Sequence, residues 1–244
     1  MNETAALAAM IRKHERIVFF GGAGVSTESN IPDFRSSDGI YKKKRYPYPA
    51  EHMISHDFYV EHPSEFYDFY MYEMIYPDAR ANDAHKALAA LEDMGKLQAV
   101  VTQNIDGLHQ QAGSKTVYEL HGSVHRNYCT KCHAFYGLEA MLQQRNTVPC
   151  CSVCGGILKP DVVLYGEGLD QHVLSSAIRA ISEADMMIVG GTSLVVYPAA
   201  GLLQYFRGQT LVLINKDETS MDEKADLIIR RPIGSVLKEA VAQL

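Results

Sequence analysis

The apolar positions of this chain follow two alternating rhythms. Ile17, Val18, Phe19 and Phe20 form a β-branched and aromatic run too short for a helix, and Gly21, Gly22 and Gly24 stop it at once, which predicts a buried strand followed by a glycine turn that opens a helix. Before it, Leu7, Ala8, Met10 and Ile11 recur at helical spacing within residues 4–15. After it, residues 84–94 read as an amphipathic helix closed by Gly95, residues 97–102 as a second buried strand and residues 116–120 as a third. Residues 186–189, 211–214 and 226–229 supply later strands, with helices near 170–183 and 197–206 and a last helix over about 233–242. Strands alternating with helices predict an α/β fold with a doubly wound, parallel, Rossmann-like sheet.

Neither rhythm holds from 36 to about 82. That stretch is rich in Tyr, His, Met and Pro, turns at 47–49, and carries helical patterns near 50–60 and 63–76. It reads as a helical insertion, not as a sheet layer.

Composition narrows the partners. With 244 residues, 47% of them apolar, the chain can build a substantial core. A net charge of −6 leaves no basic excess to neutralise phosphates, so neither nucleic acid nor a membrane surface is expected as a partner. The run from Lys42 to Arg45 is the local exception and reads as a solvated loop. Residues 1–16 mix charged side chains into their helical pattern, and no apolar run reaches about 18 residues, so neither an export signal nor a membrane span is expected. All five cysteines lie between positions 129 and 154; with no export signal, that favours metal binding in a reducing cytoplasm over disulfides.

Polar residues gather where the predicted strands end: Gly22 to Thr27, Gln103 to Asp106, His121, Gly191 to Ser193, and Asn215. Each alone is ordinary turn chemistry, but ligands of open α/β sheets sit beyond those carboxyl ends. The first loop departs from a dinucleotide fingerprint, with Thr27 where the third glycine belongs. About 20 residues on, where a dehydrogenase places a ribose-binding acid, stands the Lys42–Arg45 run. A hydride-transferring dehydrogenase is disfavoured; on these residues alone, a nucleotide site and a plain tight turn both stay open.

Cys129 and Cys132, then Cys151 and Cys154 after 18 intervening residues, form two C-x-x-C knuckles, the spacing of a structural zinc site. Four thiolates leave no open position for substrate, so the metal is expected to hold a small lobe together and take no part in chemistry. Cys150 is an alternative to Cys151 that the two-residue spacing disfavours. A nucleic-acid-binding zinc ribbon is the rival reading, opposed by the acidic balance.

Taken together, these motifs resemble the bacterial sirtuins, NAD-dependent protein lysine deacetylases. The matching stretches are GAGVSTESNIPDFRS (22–36), TQNIDGLH (102–109), ELHGS (119–123), the paired C-x-x-C, KPDVVLYGE (159–167), GTSLVVYPAA (191–200) and IN (214–215). The resemblance implies one catalytic domain over 1–244. Residues 1–35, 84–124 and 158–244 would form the Rossmann-like NAD lobe, and the smaller lobe would combine a helical insertion (36–83) with a zinc-binding module (125–157). It implies NAD contacts from Gly22, Ala23, Gly24 and Thr27, with Phe34 covering the place nicotinamide leaves from, Arg35 near the phosphates, and residues 30–35 acting as a flap. Gln103 and Asn104 would hold the nicotinamide ribose and a water, Ile105 and Asp106 the carboxamide, and Thr192, Ser193, Asn215 and Ile233 the adenosine end. His121 would be the general base, with Asn104 and Asp106 beside it in the catalytic set.

The resemblance further implies an acetyl-lysine peptide lying as an added β-strand between 163–167 and 194–197. Val163, Tyr165, Val195 and Phe34 would line an apolar acyl tunnel, with Gly166, Glu167 and Tyr197 on the strand walls. Acidic-acyl sirtuins carry Tyr-x-x-Arg in the insertion; the nearest equivalent taken here, Tyr70 to Glu73, ends in a like charge, so neutral acyl groups are expected. Gly21 stands where many sirtuins have Thr. The reaction implied is transfer of the acetyl group from lysine to ADP-ribose with release of nicotinamide. Protein mono-ADP-ribosylation on the same scaffold is the alternative, and an NAD-sensing binding module a third.

Overall fold

The structure, a computed structural model, describes residues 2–36, 39–42 and 45–244; Lys43 and Lys44 of the basic run lie outside the described residues. Nine strands are found among them: β1 (Ile17–Gly21), β2 (Leu97–Thr102), β3 (Val117–Glu119), β4 (Gly122–Cys129), β5 (Phe135–Tyr136), β6 (Leu158–Val162), β7 (Met186–Gly190), β8 (Thr210–Ile214) and β9 (Leu227–Ile229). Six form one sheet in the order β3-β2-β1-β7-β8-β9, and every pairing in it is parallel.

Strand periodicity decides which side chain goes where. All five residues of β1 are buried, because helices cover both faces of a parallel sheet. Ile17 and Phe19 point into a core with Leu7, Leu88, Val212 and Val236, whereas Val18 and Phe20 point into a second core with Val101, Ile181, Leu203 and Leu213. The helices Glu3–Lys13, Asp83–Asp93 and Ile233–Val241 close the first face; Gln171–Glu183 and the 3₁₀ segment Ala199–Tyr205 close the second. Burying each β1 phenylalanine stabilises by roughly 1.5–3 kcal/mol. Among the described residues no helix is long and apolar enough to cross a membrane.

Three further strands form an antiparallel sheet, β5-β4-β6. The division expected at 124/125 and 157/158 is therefore corrected. Tyr128 pairs with Lys159 and Cys129 with Leu158, so both long strands belong with the cysteine module. Lys159, Pro160 and Asp161 conceal β6 in the sequence by breaking its apolar run, although its burial alternates as a half-buried strand should. This sheet shares a third core with the insertion, where Phe58, Phe66, Tyr67 and Met71 meet Met141, Leu158 and Val162.

Other differences are local. The helix expected near 50–60 is two, Ala50–Met53 and His56–Glu61, because the Ser55 side chain accepts the Phe58 N–H at 3.2 Å and starts the second. The 63–76 pattern is the helix Pro63–Phe69 followed by a π-helical turn, Tyr70–Met74. The glycine turn after β1 opens two 3₁₀ turns, Ala23–Val25 and Thr27–Ser29, in place of an α-helix.

Candidate active site

β1 and β7 are neighbours at the centre of the large sheet, and the chain winds away from them to opposite sides. Their carboxyl ends thus define the switch point where such sheets bind ligands. There the two loops meet backbone to backbone. Gly24 N–H donates to Gly191 O at 2.8 Å, a Cβ on Gly24 would lie 2.8 Å from Gly191 Cα, and one on Gly22 would lie 2.9 Å from Thr192 Cβ. The glycines therefore close a seam. Ala23, between them, lines a cleft of about 740 Å³, and its N–H has no hydrogen-bond partner among the described residues. Arg35 lines the same cleft, its guanidinium 5.3 Å from the centre of the Tyr41 ring and 3.7 Å from Glu51. A free amide, a guanidinium and a glycine seam suit phosphate oxygens.

The deeper part is a hydrogen-bonded cluster. Ser26 Oγ donates to Asp106 Oδ2 at 2.6 Å, Leu108 N–H donates to Asp106 Oδ1 at 2.9 Å, and Asn104 Nδ2 donates to Ser26 Oγ at 3.0 Å. Burial raises the Asp106 pKa above the ordinary carboxylate value, and the Ser26 and Leu108 bonds oppose that rise. Gln103 Nε2 donates to Thr192 Oγ1 at 3.1 Å, tying the β2 loop to the β7 loop. Ser26, buried, organises this cluster, and its sequence context does not signal it because a serine after glycines reads as turn chemistry.

His121 lies where the chain passes from β3 to β4, and so from one sheet to the other. Its Nδ1 is 2.9 Å from the Gln103 carbonyl, which can only accept, so Nδ1 carries the proton and Nε2 is left as an acceptor. Burial lowers its pKa below the ordinary histidine value, with the Gln103 bond pulling the other way. The ring is therefore neutral at physiological pH and fixed in one tautomer.

Most of the expected site residues line this one cleft: His121, Asn104, Asp106, Gln103 and Ile105; Gly22, Ala23, Gly24, Phe34 and Arg35; Thr192, Ser193 and Asn215; and Val163, Tyr165, Gly166, Glu167 and Tyr197. Three do not. Thr27 donates its hydroxyl to Gly24 O at 3.0 Å and holds the first 3₁₀ turn. Ile233 is buried in the first core, beneath Gly190, while its neighbour Gly234 donates its N–H to Glu28 at 2.7 Å. Val195 is 56% exposed, and Val196 takes the lining position. Residues 194–197 belong to no strand and Leu194 has a positive φ of 57°, so no hydrophobic period in the sequence fixes which valine faces in.

The wall segments also differ in detail. Val163 N–H donates to His121 O, Tyr165 N–H to Ile54 O, and His56 N–H to Tyr165 O, so much of 163–167 is already paired. The Val163 carbonyl and the Gly166 amide have no partner among the described residues, nor do the amides of Val195 and Val196 opposite. Glu73, expected to meet the acyl group, is buried and faces Arg45 at 3.5 Å. Among the described residues lining the cleft the only arginines or lysines are Arg35 and Arg126, and Arg126 is engaged by two carboxylates.

The cysteines meet in the small lobe. The donor sulfurs of Cys129, Cys132, Cys151 and Cys154 lie within 4.8 Å of one another, with Cys129–Cys154 at 3.4 Å and Cys132–Cys151 at 3.6 Å. Sulfurs bound tetrahedrally about 2.3 Å from zinc would stand roughly 3.8 Å apart, so the set fits that ion. Backbone N–H groups of Lys131 and Cys132 donate to Cys129 Sγ, and Tyr136 Oη lies 3.1 Å from Cys151 Sγ, as a thiolate site requires. Cys150 stands outside, its thiol donating to Val148 O at 3.3 Å.

Comparison with known proteins agrees with this geometry. The profile of the Sir2 family matches residues 22–198. An NAD-dependent protein deacetylase of Clostridium acetobutylicum is 58% identical over 236 residues, covering 96% of each chain, and one of Clostridium perfringens is 59% identical over 237 residues, covering 96% of this chain and 97% of that one. A Sir2 protein solved with a deacetylated p53 peptide and 3′-O-acetyl-ADP-ribose superposes with a TM-score of 0.91 at 39% identity, over 99% of this chain and 98% of that one. Another, solved with a propionylated peptide, gives a TM-score of 0.87 at 38% identity, over 100% and 98%.

Proposed function

This chain belongs to the Sir2 family, and from that premise we infer that it is an NAD-dependent protein lysine deacetylase, transferring the acetyl group to ADP-ribose and releasing nicotinamide. The observation that carries the reading is the fixed tautomer of His121: a neutral imidazole in the cleft, Nδ1–H held by Gln103 O and Nε2 open. Such a base contributes about 10² to 10⁴-fold. Bound NAD supplies an electrophilic ribosyl carbon once nicotinamide has left, and ribose hydroxyls that receive the acyl group. His121 Nε2 takes the proton of such a hydroxyl, and the Gln103 carbonyl steadies the imidazolium that results. Asp106, with Ser26 and Leu108 N–H holding its oxygens in place, accepts from the carboxamide. Asn104 and Gln103 orient the ribose, and Phe34 excludes water.

Ala23 N–H, Arg35 and the Gly22 and Gly24 seam hold the phosphates. Thr192, Ser193 and Asn215 take the adenosine end, with Thr27 and Ile233 acting from beneath through backbone and packing. The acetyl-lysine peptide adds as a strand between the open groups of Val163 and Gly166 and those of Val195 and Val196, with Tyr165 and Tyr197 beside it and Glu167 holding the loop. Neutral acyl groups are favoured, because among the described residues lining the cleft Arg35 goes to the phosphates and Arg126 is engaged by two carboxylates, leaving no cation for a distal carboxylate. The four cysteines hold zinc, and the protein acts in the cytoplasm.

The test is incubation with NAD and an acetyl-lysine peptide. Nicotinamide and deacetylated peptide should appear in equal amounts, with O-acetyl-ADP-ribose. Nicotinamide release with ADP-ribose attached to protein and the acetyl group untouched would overturn the reading in favour of ADP-ribosyl transfer.

A further inference from the structure

Pairing between β4 and β6 breaks in mid-strand: Ser123 faces Asp161 but Asn127 faces Pro160, so Val124, His125 and Arg126 stand out of the ladder. Bulges re-aim side chains, and all three reach the large lobe. Val124 N–H donates to Ile105 O at 3.0 Å. His125 Nε2 donates to Asp106 O at 3.0 Å, its ring so close over Gly107 that a Cβ there would come within 2.7 Å. Arg126 goes furthest, donating from Nη1 to Glu119 Oε2 at 2.6 Å and from Nε to Asp161 Oδ2 at 2.7 Å.

Glu119 ends β3, two residues before His121, and Asp161 lies in β6, two residues before Val163, whose N–H donates to His121 O at 3.0 Å. Gly122 packs so tightly on Asp161 that a Cβ there would overlap the Asp161 carbonyl oxygen. The arginine fork therefore closes a ring of bonds around His121, joining the last strand of one sheet to the strand of the other that leads into the cleft wall. A guanidinium suits this task because it holds two carboxylates at fixed angles, which an ammonium does not.

We propose that Arg126 is a positioning residue for the deacetylation, clamping Glu119 and Asp161 so that His121 Nε2 is held where it must act. The role presupposes that the chain is a deacetylase. A base displaced by about 1 Å can cost up to about 10²-fold, so Arg126→Gln should lower kcat for nicotinamide release about tenfold while KM for NAD and for peptide stay within about twofold. Zinc content and circular dichroism confirm folding. Adding Glu119→Gln to Arg126→Gln should restore at least about threefold of kcat, because no unpaired buried carboxylate remains. Should Arg126→Gln fail to fold, Arg126→Lys carries the test, with kcat about threefold down and KM unchanged.

Unchanged kcat in the folded variant, a loss confined to KM, or a double variant no better than the single would overturn the clamp. An inert wild type would instead overturn the deacetylase reading. The exchange rate of the His121 Nδ1–H proton, followed by NMR in ¹⁵N-histidine protein, then decides the clamp without turnover: slow in wild type and fast in Arg126→Gln if it holds, equal in both if it does not.

Discussion

The two lobes are ordered by different physics. The large lobe is a parallel sheet whose central strand is buried on both faces, with two cores built from side chains of strict alternating phase. Many small burial increments hold it, and loss of one leaves the rest. The small lobe has a short three-stranded sheet, one core shared with the insertion, and four sulfurs converging within 4.8 Å. There a zinc ion held by the four sulfurs would carry a large share, because metal binding free energy is folding free energy when the site does not pre-exist in the unfolded chain. The groups proposed to act in catalysis line the cleft between the lobes, so the rigid sheet supplies position and the small lobe supplies the opposite wall.

The sharpest way to break that contrast is Cys129→Ala. It should abolish zinc binding and deacetylase activity, while hydrogen exchange shows β1, β2 and β7 still protected and β4 to β6 exposed. Equal protection in both lobes, or retained activity, would mean the small lobe folds without the metal. Next in size is His121→Ala, expected to lower kcat about 10² to 10⁴-fold with zinc content unchanged and stability lowered by only about 1 kcal/mol through loss of the Gln103 bond. In the wild type, kcat/KM should fall as pH drops through the His121 pKa, a limb lying below about 6.5 because burial lowers that pKa; a limb above 7 would contradict the buried neutral base.

How far the sequence reaches follows the same division. In the large lobe the strands and helices are legible because Ile17 to Phe20 form a continuous apolar run ended by Gly21, and Ala99 to Val101 one ended by the polar stretch from Thr102. The residues at their carboxyl ends then converge by topology alone. In the small lobe the helical pattern of the insertion and the cysteine spacing are legible, and the three-stranded sheet is not. β4 hides behind His125 and Arg126, whose partners Asp106 and Glu119 lie on the other sheet's side, and β6 behind Lys159, Pro160 and Asp161, which interrupt its apolar residues. What spacing could not supply in either lobe was the phase of a loop. Val195 against Val196, and the inward turn of Ser26, depend on partners brought from elsewhere in the chain.

A smaller effect separates the lobes by acid. His85 and His109 lie face to edge in the large lobe, rings 4.7 Å apart, and burial pushes their pKa values down to about 4 and about 3. Both ring nitrogens of His109 lack a partner among the described residues, so nothing offsets the cost of charging it. The unfolded chain binds protons at these histidines below about 6.5 and the native chain does not, so stability falls as pH drops from there toward 4. By pH 5 each should cost about 2 kcal/mol, read as a lowered urea midpoint. His109→Gln should remove one such increment and flatten the slope between pH 6.5 and 5; an unchanged slope would show that His109 is protonated in the native state.

The smallest expected effect tests the cysteine assignment itself. Cys150 adjoins Cys151 in sequence, yet its thiol is exposed and donates to Val148 O, while its backbone N–H is held by Gln144 Oε1 at 2.9 Å. A serine hydroxyl can replace that donor, and surface changes of this kind shift stability by no more than about 0.5 kcal/mol. Cys150→Ser should therefore keep one zinc per chain, full activity and an unchanged midpoint, whereas Cys151→Ser should lose the metal with the small lobe. If the two variants exchanged these outcomes, the ligand set would be Cys150 in place of Cys151, and the knuckle following Tyr136 would have to turn over to deliver it.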